Sequence, residues 1–218
     1  MKYRHYDNPV NLWVCSNNAL NGGIRERMYK LIILRWYMEE DHLIIRTVRR
    51  NNIRPIPSSF EFQRARRIHA AEKSKTWAYV VADDDCMPNT TNLITVKCLG
   101  ILHDHPDFAI LSMMPTNAII RRWRPEGNYE VFEDDSVIEH HSVGGIRFCR
   151  AGIPKEWPPM EPGFPGYDRI HCEQIRKEGW RVGYYKNVCM VHLGEGYSQI
   201  WRSDGTANID PDADKKQG

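Results

Sequence analysis

The stretch Trp77-Ala78-Tyr79-Val80-Val81-Ala82 runs without a charged residue straight into Asp83-Asp84-Asp85. A strand with one wet face alternates apolar and polar side chains, whereas a strand that is apolar at every position must be covered on both faces. The segments before it fit such a setting. Asn11–Cys15 reads as a short buried strand, Ile24–Met38 as a helix with Ile24, Met28, Leu31 and Ile32 on one face, and His42–Val48 as a β-branched strand. Phe60–Lys73 reads as a second helix. The order strand, helix, strand, helix, strand predicts an α/β fold with a mostly parallel sheet and right-handed crossovers. The acidic run then falls at the carboxyl end of a buried strand, where open α/β sheets bind their ligands.

The pattern continues with a helix predicted over 91–102 and a strand over 108–113. Residues 121–135 are strongly charged, opening on Arg121-Arg122-Trp123-Arg124. A strand is expected over 143–150, a segment that contains Gly144-Gly145, and a Pro/Gly-rich loop with Trp157 and Phe164 over 154–166. A helix is expected to begin near Asp168, a preferred N-cap type, and to stop at Gly179. The last predicted strand is 184–192, and the polar segment 203–218 is expected to be a disordered tail.

Composition narrows the function classes. The 218 residues are 41% hydrophobic and 27% charged, which excludes a disordered chain. No run approaches 18 apolar residues, so no membrane-spanning helix is expected. The first residues lack the apolar stretch of a secretory signal, and a soluble, cytoplasmic protein is the expectation. None of the six cysteines is paired as C-x-x-C, which argues against structural zinc and favours buried free thiols. Residues 1–75 hold 15 Lys and Arg against 7 Asp and Glu, while residues 76–218 hold 15 against 21. The basic first part suits a phosphorylated or polyanionic ligand, or simply a solvated basic surface.

The motifs that are missing matter as much. There is no G-x-x-x-x-G-K-[ST] loop, no G-x-G-x-x-G and no G-x-S-x-G. Met87 stands where an aspartyl-phosphate hydrolase needs Thr or Val. His103/His105 and His140/His141 have no evident third ligand and are poor metal sites. Three adjacent carboxylates raise one another's pKa unless a cation offsets them, and an oxygen-liganded divalent ion bridging to a phosphorylated substrate would do so. An acidic strand-to-loop turn is the plain alternative. Arg64 and Arg67, three apart, share a helical face suited to phosphates, or to solvent.

At this point the chain resembles a known group. Tyr79–Pro88 looks like the strand-plus-DxD motif of GT-A glycosyltransferases, especially those similar to glycosyltransferase family 2. The helix with Arg64, Arg67, His69 and Ala70 is similar to the stretch preceding that motif. Gly144–Phe148 resembles the glycine segment bordering the acceptor, Gly166–Ile170 the x-Glu-Asp motif, and Val191–Gly194 the histidine that closes the metal site. The resemblance runs from about 11 to 200. It departs at Tyr167, where glutamate is usual, and at Arg49–Asn52, where a base-binding aspartate is missing.

The resemblance implies a single GT-A-like domain over 1–202, with a donor half of about 11–115 and an acceptor half of about 116–202. It implies sugar transfer from a nucleotide-diphosphate sugar to an acceptor hydroxyl, by inversion in the simplest arrangement. Manganese or magnesium would be held by Asp83, Asp85 and His192, and Asp168 would be the catalytic base. Cys15, Ser16, Asn17, Arg64, Arg67, Asp83 and Asp84 would meet the donor. Gly144, Gly145, Trp157 and Tyr167 would border the acceptor. UDP is the commonest nucleotide in such enzymes. Compact members of the resembling family occur in phages, some acting on hydroxylated bases in DNA, and the basic first part with Arg121–Arg124 allows a DNA acceptor. A saccharide or small-molecule acceptor, a nucleotide-sugar phosphohydrolase and a silent nucleic-acid-binding domain are the competing readings.

Overall fold

A computed structural model describes residues 10–16, 43–49, 52–58, 61–84, 86–88, 94–115, 137–160 and 167–192. The elements are β1 (Val10–Ser16), β2 (Leu43–Arg49), α1 (Phe62–Lys73), β3 (Ala78–Asp83), β4 (Cys86–Pro88), α2 (Ile94–Asp104), β5 (Phe108–Pro115), β6 (Val137–Glu139), β7 (Ile146–Arg150), α3 (Tyr167–Lys177) and β8 (Arg181–His192). The helix expected over 24–38 and the tail from 203 lie outside the described residues.

The strands form one sheet in the order β2-β1-β3-β7-β5-β8-β4, with β6 paired to β8. The pairs β2–β1, β1–β3 and β5–β8 are parallel. Five of the eight strands described (β1, β2, β3, β5 and β8) thus run in one direction, as expected of a mostly parallel sheet, but β7 enters its middle antiparallel to both β3 and β5. Two short strands, β4 and β6, pair antiparallel with β8. At three residues each they carry too little periodicity to be read from sequence.

Alternation assigns the two faces. Val80 and Ala82 of β3 pack with Ile146 and Phe148 of β7, Leu111 and Met113 of β5, and Cys98, Leu99 and Leu102 of α2. Tyr79 and Val81 point the other way, to Cys149, Ile110, Phe62 and Ala70 of α1, and Cys172 and Ile175 of α3. The sheet is thus covered by α2 on one side and by α1 and α3 on the other, which is why β3 is apolar throughout. Burying each such Val, Leu or Ile is worth about 1.5–3 kcal/mol. Gly179, at φ 86°, follows α3 in the left-handed conformation that a helix-terminating glycine adopts. Among the described residues no helix is long and apolar enough to cross a membrane.

Candidate functional site: an arginine-held carboxylate beside the acidic strand end

The described part of the acidic run, Asp83 and Asp84, sits at the carboxyl end of β3. β3 ends at Asp83, whose register partner on β1 is Cys15, so two parallel strands finish side by side. Asp83 N–H donates to the Gly145 carbonyl at 3.3 Å, which ties this strand end to the glycine pair before β7. Ser112 Oγ on β5 donates to Gly144 O at 2.6 Å and reaches Ile146 O at 2.8 Å, clamping the same turn. Gly145 has φ 72°, and a Cβ there would collide with the Met190 side chain.

Three arginines converge on this corner. Arg66 Nη2 lies 2.6 Å from Asp83 Oδ1, an ion contact without hydrogen-bond geometry. Arg67 Nη2 and Arg147 Nη1 both donate to Asp168 Oδ1. Arg67 and Arg147 are each 1% exposed, and the Asp168 side chain is 30% exposed. Burial alone would raise the Asp168 pKa, but Arg147, Arg67 and Arg66 together outweigh it and hold the carboxyl well below the usual range. Burial and the neighbouring Arg147 lower Arg67 to about 10, which leaves it protonated at neutral pH.

Asp168 lies in the first turn of α3, one residue inside the helix. The expected N-cap role gives way to the arginines, because its described hydrogen bonds go to Arg67 and Arg147 through Oδ1. Its other oxygen, Oδ2, faces Gly144, where a Cβ would stand 3.0 Å away.

An aromatic wall adjoins the carboxylate. The His171 ring stacks on Trp157 at 4.8 Å, with the Tyr167 ring nearly parallel at 6.0 Å. Burial, then Arg67 and Arg147, push His171 far below its ordinary pKa, so this imidazole is neutral. Tyr167 Oη donates to Pro158 O at 2.7 Å, and Tyr167 N–H donates to Gln63 Oε1 at 3.1 Å. Arg64 Nη2 donates to Trp157 O at 3.0 Å. Loop 154–160 is thereby fastened to α1 and α3.

Several expected site residues have other work. Tyr167, expected at the acceptor, is fully buried and holds the loop and the Arg67 guanidinium instead. Arg67, expected at the donor phosphates, is buried on Asp168, and Arg64 is engaged by the Trp157 carbonyl. One face of the Trp157 ring is taken by His171. Cys15 is buried, and burial pushes its thiol up to about 11. Gly145 is buried and makes room for Met190, while Gly144 does adjoin Asp168. Asp84 follows β3 half-buried. Asn17 and Asp85 lie outside the described residues, as do the side chains of Ser16 and His192. The backbone of His192 pairs with Cys86, the residue after Asp85, so β4 brings the end of β8 to the acidic run.

A divalent cation needs hard oxygen donors, and the carboxylate at the end of β3 offers one. Asp83 Oδ1 is buried and, among the described residues, makes an ion contact with Arg66 but no hydrogen bond, so its donor chemistry fits such an ion. Among the described residues no group of three His, Cys, Asp or Glu side chains forms a metal cage.

Comparison with solved structures bears on the fold. The first 349 residues of TarS from S. aureus superpose with a TM-score of 0.53 at 10% identity, over 85% of this chain and 60% of that one. The fold is GT-A-like. Two further comparisons are weaker. GalNAc-T7, solved with UDP, GalNAc and Mn2+, gives a TM-score of 0.49 at 9% identity over 85% of this chain and 44% of that one. A197 from STIV gives 0.46 at 14% identity over 84% and 85%. The chain thus spans less than two thirds of the TarS and GalNAc-T7 chains. No family model and no curated protein matches the sequence.

Sequence reasoning missed Arg66, Arg147 and His171. Arg147 had a signal: it sits between Ile146 and Phe148 in a strand whose neighbours are apolar. An arginine there must be paired, because an isolated buried charge is prohibitively costly. Arg66 and His171 carried no signal, since their burial depends on how α1 and α3 pack.

Proposed function

We propose that this protein is a metal-dependent glycosyltransferase that moves a sugar from a nucleotide-diphosphate sugar to an acceptor hydroxyl with inversion. The observation that carries the reading is the meeting of two groups in a GT-A-like sheet. An acidic strand end at Asp83 meets one arginine of the cluster, and Asp168, a carboxylate held through Oδ1 alone among the described residues, meets the other two. The donor diphosphate would lie beyond β1 and β3. Manganese or magnesium would be held by Asp83, Asp85 and His192, and when bound it would offset the negative charge that grows on the departing diphosphate.

Asp168 Oδ2 would accept the acceptor proton. As the acceptor oxygen bonds to the anomeric carbon, its proton becomes strongly acidic, so even a weakly basic carboxylate can take it. Gly144 leaves room for the hydroxyl beside Oδ2. A lone base on the side away from the leaving group gives inversion.

For the acceptor we favour a hydroxylated base in DNA, supported by the basic first part of the chain and by exposed Arg46, Arg49 and Arg54. Tight duplex binding that falls steeply with salt is expected, and indifference to DNA would leave a saccharide or small molecule as acceptor. The deciding test is calorimetric titration of UDP, GDP, CDP and dTDP, with and without manganese, on wild type and Asp85→Ala. Selective binding that needs both metal and Asp85 supports the transferase. No binding by any nucleotide would refute it.

A further inference from the structure

Arg147 occupies the interior of β7, paired in register with Val81 and sharing its sheet face with Cys149. If it served stability alone, a two-pronged fork onto both carboxylate oxygens would be the favourable geometry, because it satisfies more donors. The observed arrangement differs. Among the described residues, Arg147 and Arg67 converge on Oδ1 alone, while Arg147 Nε, Arg147 Nη2 and Arg67 Nε stay buried without a hydrogen-bond partner. Unmet buried donors are costly. A geometry that tolerates them while leaving Oδ2 open beside Gly144 favours the reactivity of one oxygen over the satisfaction of the core.

We infer that Arg67 and Arg147 are positioning residues for Asp168: from α1 and β7 they fix Oδ1, so that Oδ2 is the single oxygen that receives the acceptor hydroxyl. In the step this serves, the acceptor oxygen bonds to the anomeric carbon, the bond from that carbon to the diphosphate breaks, and the acceptor proton passes to Oδ2. The role given to Oδ2 rests on the transferase reading; the arginine lock itself does not. Other groups face Asp168 from each neighbouring element. Arg66 on α1 is cationic and Asp83 at the end of β3 lies near Arg147. Tyr184 on β8 and Cys172 on α3 are pushed up by burial, and His171 on α3 is pushed down, so all three are neutral. The arginines therefore decide the charge of this carboxyl.

The test is a carbon-13 NMR titration of protein labelled at the aspartate carboxyls, with Asp168 assigned from Asp168→Asn. Wild type, Arg147→Lys, Arg147→Met and Arg67→Lys are followed from pH 8 to 3.5, with circular dichroism to confirm folding. The Asp168 signal in wild type is expected to stay flat over that range. In Arg147→Met the Asp168 signal should begin to titrate within that range, and Arg147→Lys should remain near wild type. An ordinary aspartate titration in wild type, or an Asp168 signal that stays flat in Arg147→Met, would overturn the lock. If Arg147→Met does not fold, the wild-type curve decides: a flat signal supports the lock and an ordinary aspartate titration overturns it. UDP binding with manganese is measured on the same samples. A flat, arginine-dependent Asp168 with no nucleotide binding would overturn the role of Oδ2 through the transferase reading, not through the lock.

Discussion

Replacing Asp168 by Asn is the sharpest test of the arginine cluster as a structural unit. The amide keeps the size of the carboxyl and an acceptor oxygen, but removes the charge that faces two guanidinium groups, each 1% exposed. Removing one partner of a buried ion pair leaves uncompensated charge and costs about 3–5 kcal/mol. That is a large fraction of the roughly 5–15 kcal/mol by which domains are stable. With a urea slope of about 2 kcal/mol/M, the midpoint should fall by roughly 1.5–2.5 M with the slope unchanged. At roughly 2–4 °C per kcal/mol for a chain of this size, melting should fall by about 6–20 °C. A double-mutant cycle with Arg147→Met should show a coupling of about 0.5–3 kcal/mol, since both changes remove the same contact. A stability of Asp168→Asn within about 0.5 kcal/mol of wild type would refute the argument, because the carboxylate would then not be compensating the buried arginines.

Other consequences are checked as directly. The folded Asp168 pKa is held below its unfolded value, so its stabilisation is fully present above the ordinary carboxylate range and is lost as pH falls towards the folded value; acid unfolding should be steeper in wild type than in Asp168→Asn. Arg150 donates to the carbonyls of Phe108 at 2.7 Å and His105 at 3.0 Å and also bonds that of Leu102, so Arg150→Met should cost about 2–4 kcal/mol in urea unfolding. Burial pushes the thiols of Cys15, Cys149 and Cys172 up to about 11, 12 and 11; at pH 8 these three should resist iodoacetamide in the native protein and react in denaturant, as read by peptide mass analysis. Gly145→Ala should destabilise by about 1–3 kcal/mol in the same unfolding assay, since it adds a Cβ at positive φ against Met190.

Much of the scaffold was written locally. The unbroken apolar run of β3 demanded two covered faces, and the sheet supplies α2 on one and α1 and α3 on the other. The strand–helix order placed the acidic run at a carboxyl end, and the amphipathic pattern of α3 followed by Gly179 located that helix within a residue or two. These features depend on periodicity and on single-residue backbone preferences, which a chain displays before it folds. The site depended on something else. Asp168 meets Arg67 across 101 positions of sequence and Arg147 across 21. An Arg-rich helix face looks the same in sequence whether it is solvated or turned inward on a carboxylate. Only the insertion of antiparallel β7 between β3 and β5 put Arg147 beneath α1 and α3, and so turned a presumed N-cap into a carboxylate tethered by one oxygen. Local pattern determined which segments are strands and helices; long-range packing decided which charges meet, because the energy of a buried pair resides in a contact that neither residue encodes alone.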